Sequence, residues 1–186
     1  MKTEKVLFAI FIIGLIFKYN LWPGGSVITI LGLLGIAFCY FPLGFYFIND
    51  KPVFKKKVGL SILYGWLLSI ALIGILFKIM FWPGAGPMLI IGGISLIPLL
   101  IVAIVLNNKS DEESKVFNRN LLIRTSIITF LTFSFFLMPS ESILKFQYRN
   151  DPKLYELKLN ELNSDNSEEA YNKTQEYLNE KENEEN

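Results

Sequence analysis

Apolar residues along this chain fall in long unbroken blocks, not in the strict alternation of a half-buried strand or the single stripe of a surface helix. Five such blocks stand out, at residues 5–22, 26–48, 58–80, 85–106 and 120–138. A bilayer core is crossed by about 20 apolar residues in helical conformation, so each block predicts a transmembrane helix. Beyond Pro139 the pattern changes. The segment SESILKFQYRNDPKLYELKLNEL starts with helical periodicity, is interrupted at Asn-Asp-Pro and resumes, with Leu154, Tyr155, Leu157 and Leu162 on a thin apolar face. A cap-rich break follows, in which Asp165 stands three residues before Glu168 and marks a helix start. A second helix over about 167–182 would carry Tyr171, Tyr177 and Leu178, before disorder at KENEEN.

The pattern therefore predicts an all-α integral membrane protein of about five transmembrane helices with a short acidic helical tail. The organisation it implies is a transmembrane hairpin at 1–50, a second at 51–108, a loop and fifth span at 109–138, and an extramembrane tail at 139–186. The start, Lys2 to Lys5 followed by VLFAIFIIGLIF, has the basic and apolar parts of a secretory signal but no small-x-small cleavage site after them. It is expected to be a retained span.

The two hairpins resemble one another. Residues 7–32 laid over 67–92 share Phe17/Phe77, Lys18/Lys78, Trp22/Trp82, Pro23/Pro83 and Gly24/Gly84, along with Gly14/Gly74, Gly32/Gly92 and several aliphatic positions. Shared leucine and isoleucine say little between lipid-facing helices. A Phe-Lys-x3-Trp-Pro-Gly core says more, because Lys, Trp and Pro are uncommon at these depths, and it predicts a tandem duplication of one hairpin. Each copy holds two spans, so both copies point the same way: a parallel repeat.

Charge sets the orientation. With the N-terminus inside, the cytoplasmic segments hold Lys2, Lys5, Lys51, Lys55, Lys56, Lys57, Lys109, Lys115 and Arg119, nine basic residues against four on the other side, Lys18, Lys78, Lys145 and Arg149. That imbalance predicts a cytoplasmic N-terminus in the inner membrane, and five spans then carry the tail to the outer side. The net charge of +1 conceals a split, because residues 151–186 alone hold 4 Lys against 11 Asp or Glu. A basic membrane region with an acidic tail is not the pattern of a nucleic-acid binder. With no His and a single Cys, Cys39, the chain offers no Cys–His or Ser–His catalysis and no internal disulfide, and it implies no metal or other cofactor.

Lys18 and Lys78 are the candidate contacts for a partner or an ion. Both lie near the outer ends of their helices, one turn before Trp-Pro-Gly. Pro and Gly end a helix and allow a tight reversal, so Trp22, Pro23, Gly24, Trp82, Pro83 and Gly84 are expected to anchor the turns, with Trp22, Trp82 and Tyr19 at headgroup level. Each lysine has two readings: its ammonium snorkels to the interface, or it faces inward and binds an anion or a partner carboxylate. Other features predict packing. Ser61, Gly65 and Ser69 form a small-x3-small stripe, Gly32, Gly35, Gly92 and Gly93 thin the second helix of each hairpin, Pro42 and Pro98 sit where helices can kink, and Thr125, Thr129 and Thr132 share a face as an interhelical hydrogen-bond seam.

The motif LFKIMFWPGAG followed by an apolar, glycine-bearing helix resembles the N-terminal transmembrane hairpin of the GldL family, stator-type subunits of the gliding-motility and type IX secretion motor. The resemblance covers residues 6–48 and 66–106. It implies assembly as a homo-oligomer or with a membrane-protein partner in the lipid bilayer. The family's second helix carries an embedded carboxylate, whereas 26–48 and 85–106 contain no Asp or Glu, and its frequent His position is Leu21 or Phe81 here. Lys18 and Lys78 are the polar positions that carry over. The expectation is a non-enzymatic relative sharing the hairpin fold, an accessory or scaffold subunit. A small transporter with the paired lysines at its outer mouth is the alternative.

Overall fold

The computed structural model describes residues 2–20, 22–41, 58–164 and 166–185. Pro42 and Lys51 to Lys57, with Leu21 and Asp165, lie outside the described residues, as does the end of the 26–48 block. Eight α-helices are present among the described residues: α1 (Lys2–Tyr19), α2 (Gly25–Tyr40), α3 (Val58–Met80), α4 (Ala85–Asn108), α5 (Lys115–Leu137), α6 (Ser140–Gln147), α7 (Pro152–Asn163) and α8 (Ser167–Glu185). They group into two compact units, Met1–Met138 and Pro139–Asn186.

Three of these helices, α3, α4 and α5, are long and apolar enough to cross a membrane. Helix α2 is as apolar but covers 16 residues, and α1 includes Lys2, Glu4, Lys5 and Lys18 among its 18. In the first unit α1 packs on α2, α2 on α3, α3 on α4, and α5 lies against both α3 and α4. Helix α3 is the centre of the bundle. Tyr64, Leu68, Leu72, Ile75 and Leu76 along it are all within 1% of full burial, and Ser61, Gly65 and Ser69 of the small-residue stripe are buried as well. Away from these contacts the helices present apolar side chains outward, with Ile94 65% and Phe130 72% exposed. Such surfaces are costly in water and suit hydrocarbon.

The two reversals explain the recurring motif residue by residue. The Trp82 N–H donates to the Phe77 carbonyl at 2.9 Å and the Phe81 N–H to the Lys78 carbonyl at 3.4 Å, with Phe81 in the left-handed region at φ 56°. This is the Schellman arrangement, in which the residue just past the helix turns left-handed and the next one bonds back across the last turn. The apolar contact that accompanies it is Phe77 against Trp82, edge to face at 5.2 Å. The first reversal shares two of these features: Trp22 N–H to the Phe17 carbonyl at 2.9 Å, and the Phe17 and Trp22 rings edge to face at 5.0 Å. The Phe-x4-Trp spacing is thus the spacing of the two residues that close the cap. Gly24 (φ 84°) and Gly84 (φ 91°) then open α2 and α4 from a left-handed position, which a side chain disfavours.

Close helix approach follows inside each hairpin. A Cβ on Gly32 would lie 2.6 Å from the Phe11 amide nitrogen, and one on Gly92 would lie 2.9 Å from the Ala71 Cα. Pro98 does not end α4, which stays helical through it, and the Tyr64 hydroxyl donates to the adjacent Leu99 carbonyl at 2.6 Å. The threonine seam differs from expectation. Thr125 and Thr132 are buried, but their hydroxyls donate to the Leu121 and Ile128 carbonyls of their own helix at 2.9 and 2.7 Å. A threonine can satisfy itself one turn back without a neighbour, so this face contributes packing and no interhelical hydrogen bonds from these two residues.

In the second unit α7 packs on α6 and α8. Its organising residue is Asp151, which caps α7 by accepting from the Leu154 N–H at 3.0 Å. The same carboxylate accepts from the Tyr177 hydroxyl at 3.1 Å and the Lys181 ammonium at 2.8 Å, both on α8. Leu144, Leu154, Ala170 and Thr174 are the buried side chains among the described residues here, whereas Leu162 and Tyr171, expected on the apolar faces, are exposed. The backbone also stays helical through Glu185, past the start of the segment expected to be disordered, because the tie from Asp151 to Lys181 holds α8 at that end.

Two tests follow from these contacts. At Gly84 a Cβ meets nothing within 4 Å, so Gly84→Ala isolates the backbone term and is expected to cost about 1 kcal/mol. Gly92→Ala is expected to cost about 1–3 kcal/mol through overpacking of α3 on α4, and thermal unfolding in detergent reads both. In the tail, the hydrogen bond from Lys181, with those from Leu154 and Tyr177, holds the Asp151 carboxyl below its ordinary range. A group whose folded pKa is depressed stabilises above its unfolded pKa and loses that contribution as pH falls through the folded one. The α7–α8 pairing is therefore expected to hold at pH 6 and to loosen as pH falls below about 4, with Asp151→Asn loosening it at both. Amide exchange at residues 152–181 measures this.

Candidate functional site

Polar groups in the first unit gather at the hairpin turns, in a cleft between α1 and α5, and where the end of α4 meets α5. At the turns, the half-buried Lys18 sits in the last turn of α1. Its methylene stem lies over Gly25, where a Cβ would come within 3.0 Å of Lys18 Cγ. Its ammonium then crosses to the other hairpin, donating to the Ile79 carbonyl at 3.4 Å and lying 3.8 Å from Met80 Sδ. Ile79 is in the last turn of α3, where carbonyls have no partner inside the helix and the helix dipole is negative. Lys18 therefore ties the end of α1 to the end of α3. Lys78, one residue before Ile79, is half-buried in the same turn. Trp22 and Trp82 are 53% and 41% exposed, so one edge of each ring seals the cap while the remainder faces outward.

The cleft holds what the sequence reading did not single out. Glu4, in the first turn of α1, receives two hydrogen bonds from Arg124 on α5: Nε to Oε1 at 2.7 Å and Nη2 to Oε2 at 2.8 Å. This fork is the strongest geometry available to a carboxylate and guanidinium. The Tyr40 hydroxyl, at the last residue of α2, donates to the same carboxylate. Side-chain exposure is 11% for Arg124 and 19% for Glu4, so both charges are largely withdrawn from solvent. Three helices, the α1–α2 hairpin and the distant α5, are joined by one carboxylate. Glu4 and Arg124 line a cleft of about 590 Å3 together with Ile36 of α2 and Leu72 of α3.

A third link completes the set. Asn118 on α5 donates through Nδ2 to the Leu106 carbonyl, near the end of α4, at 2.9 Å and to Ser110 Oγ at 2.7 Å, and the Ser110 hydroxyl donates to the same carbonyl at 2.8 Å. Among the described residues no three His, Cys, Asp or Glu side chains come together as metal ligands. The arrangement fastens helices to one another and keeps a paired charge beside an open cleft.

The signal for the cleft was present in the sequence. Arg124 stands inside the 120–138 block, and a buried arginine needs a carboxylate. Glu4 is the acidic residue nearest the start of any block, but Lys2 and Lys5 around it make it look like part of a solvated basic end.

The bridge predicts non-additive variants. Glu4→Gln or Arg124→Gln alone leaves its partner charge withdrawn from water and is expected to cost about 3–5 kcal/mol. The double variant is expected to recover much of that loss, and detergent melting of the four-member cycle measures the coupling. Comparison with protein-family models, curated proteins and solved structures finds no match to this chain.

Proposed function

We propose that this chain is a non-enzymatic, GldL-related multi-pass protein of the inner membrane that serves as an accessory or scaffold subunit of an envelope complex. In this reading α1 and α2 also span the bilayer. Five spans then form two parallel hairpins plus α5, with the N-terminus cytoplasmic and the acidic tail outside. Helix α1, at 18 residues, is about 27 Å long, close to the hydrocarbon thickness of about 30 Å. The duplication is supported by contacts that recur at an offset of 60 residues: Phe17–Trp22 with Phe77–Trp82, and Gly32 on Phe11 with Gly92 on Ala71.

The observation that carries the scaffold reading is the use of the polar groups. Lys18, Arg124 and Asn118 each bond to a different helix of the bundle. Side chains used this way rigidify a platform. An apolar outer surface on a rigid bundle suits lateral assembly with another membrane protein or with further copies of the chain.

A second reading, a small transporter or ion-conducting subunit, is favoured by one observation. The Lys18 ammonium lies against Ile79, next in sequence to Lys78, so both cations belong to one end of the bundle and could draw an anion there. Purification from native membranes in mild detergent, with native mass measurement, separates the two. The scaffold reading expects a homo-oligomer or a stable complex with an envelope protein, and Lys18→Gln with Lys78→Gln is expected to weaken it. A lone monomer that moves anions across liposomes, with the flux lost in the double lysine variant, would replace the scaffold by the transporter.

A further inference from the structure

We propose that the cleft between α1 and α5 is a binding site for an anionic membrane phospholipid, with the headgroup at Lys5 and one acyl chain along the apolar half of the cleft. The walls of the cleft change character along their length. At one end they carry Glu4, Lys5, Tyr40, Asn120 and Arg124, with Ile123 among them. One helical turn further along, the same helices present Phe8 on α1, Ile36 on α2, and Ile127 and Ile128 on α5. An amphiphile with a polar head and an apolar tail matches that gradient, and a small soluble anion does not, because it would leave the apolar half empty.

Charge selects the headgroup. Glu4 and Arg124 neutralise each other through their paired bonds, and the exposed Lys5 at the rim leaves the polar end net positive. The size is right for a small-molecule site, since about 590 Å3 falls within the range of roughly 300–1,000 Å3 typical of ligand pockets. The bridge also argues against a protein occupant. A helix is about 10 Å across, and seating one in the cleft would require breaking the bonds of 2.7 and 2.8 Å between Glu4 and Arg124. An acyl chain is narrow enough to lie along the apolar half and leave them intact.

The inference rests on the placement of α1 in the bilayer proposed above, but not on the scaffold role. The full chain is equilibrated with vesicles of equimolar phosphatidylglycerol and phosphatidylcholine, purified in mild detergent, and its retained lipid is quantified by mass spectrometry. One basic side chain near a membrane surface corresponds to an expected preference for phosphatidylglycerol of about fivefold. Lys5→Gln is expected to bring that ratio towards parity, and Ile127→Trp, which fills the apolar half, to lower both lipids severalfold at unchanged helix content. Equal retention of the two lipids by the native chain, or retention unaffected by Ile127→Trp, overturns the site. Should Ile127→Trp fail to fold, the ratio in Lys5→Gln decides, because that side chain is exposed. A companion variant, Ile12→Cys in a Cys39→Ser background, reports on α1 through its exposed outer face. Labelling of Ile12→Cys by a water-soluble maleimide removes α1 from the bilayer and overturns the five-span placement together with the lipid site. Protection without lipid preference overturns the lipid site alone.

Discussion

Within hydrocarbon every backbone N–H and C=O has to find its partner inside the protein, and the last turn of each helix is where this is hardest. The polar contacts at the helix ends of this bundle answer to that constraint. At the ends of α1 and α3 the chain folds back on itself, so that Trp22 and Trp82 donate to the Phe17 and Phe77 carbonyls. The carbonyl of Ile79 is met by Lys18 from the other hairpin, and that of Leu106 by Asn118 from α5. Solving the helix ends in this way also fixes which helices are neighbours. Secondary structure and tertiary contact are here the same set of bonds.

The ion pair in the cleft belongs to a different balance. Moving two charges out of water costs several kcal/mol for each, and the fork geometry of Arg124 on Glu4 recovers that cost without a large surplus. Its value lies in specificity. Helix α5 is the least buried of the long helices, and many apolar faces would pack against α3 and α4 almost equally well. An arginine that must meet Glu4 selects one rotation and one depth for α5, and Tyr40 orients the carboxylate that receives it.

What could be read from the sequence divides along the range of the interactions. The reversals were legible because their chemistry is local. Phe, Trp, Pro and Gly stand within eight residues of one another, and spacing alone identifies the cap. The role of Lys18 was not legible, since its acceptor lies 61 residues away and nothing nearby distinguishes snorkelling from bonding to a second hairpin. Glu4 and Arg124 are 120 positions apart, so only the arginine's oddity inside an apolar block pointed to a partner. In the tail, periodicity placed the helices but misjudged Leu162 and Tyr171. With so little apolar surface to bury, Asp151 and its bonds to α8 decide which faces meet.

If the hairpins descend from one unit, the same level of each shows how far they have diverged. Positions 4 and 64 stand 14 residues before Lys18 and Lys78. In the second hairpin that position is Tyr64, whose hydroxyl donates to the Leu99 carbonyl of α4. In the first it is Glu4, and the tyrosine has moved to the facing helix, where Tyr40 donates back to the carboxylate. Both hairpins thus keep a tyrosine hydrogen bond between their helices at this height. The exchange has one large consequence, because a carbonyl already engaged in its own helix offers α5 little, whereas a carboxylate can still accept Arg124. A single acidic position in the first copy converts an internal tie into an attachment point, and the fifth helix is fastened to the bundle through it.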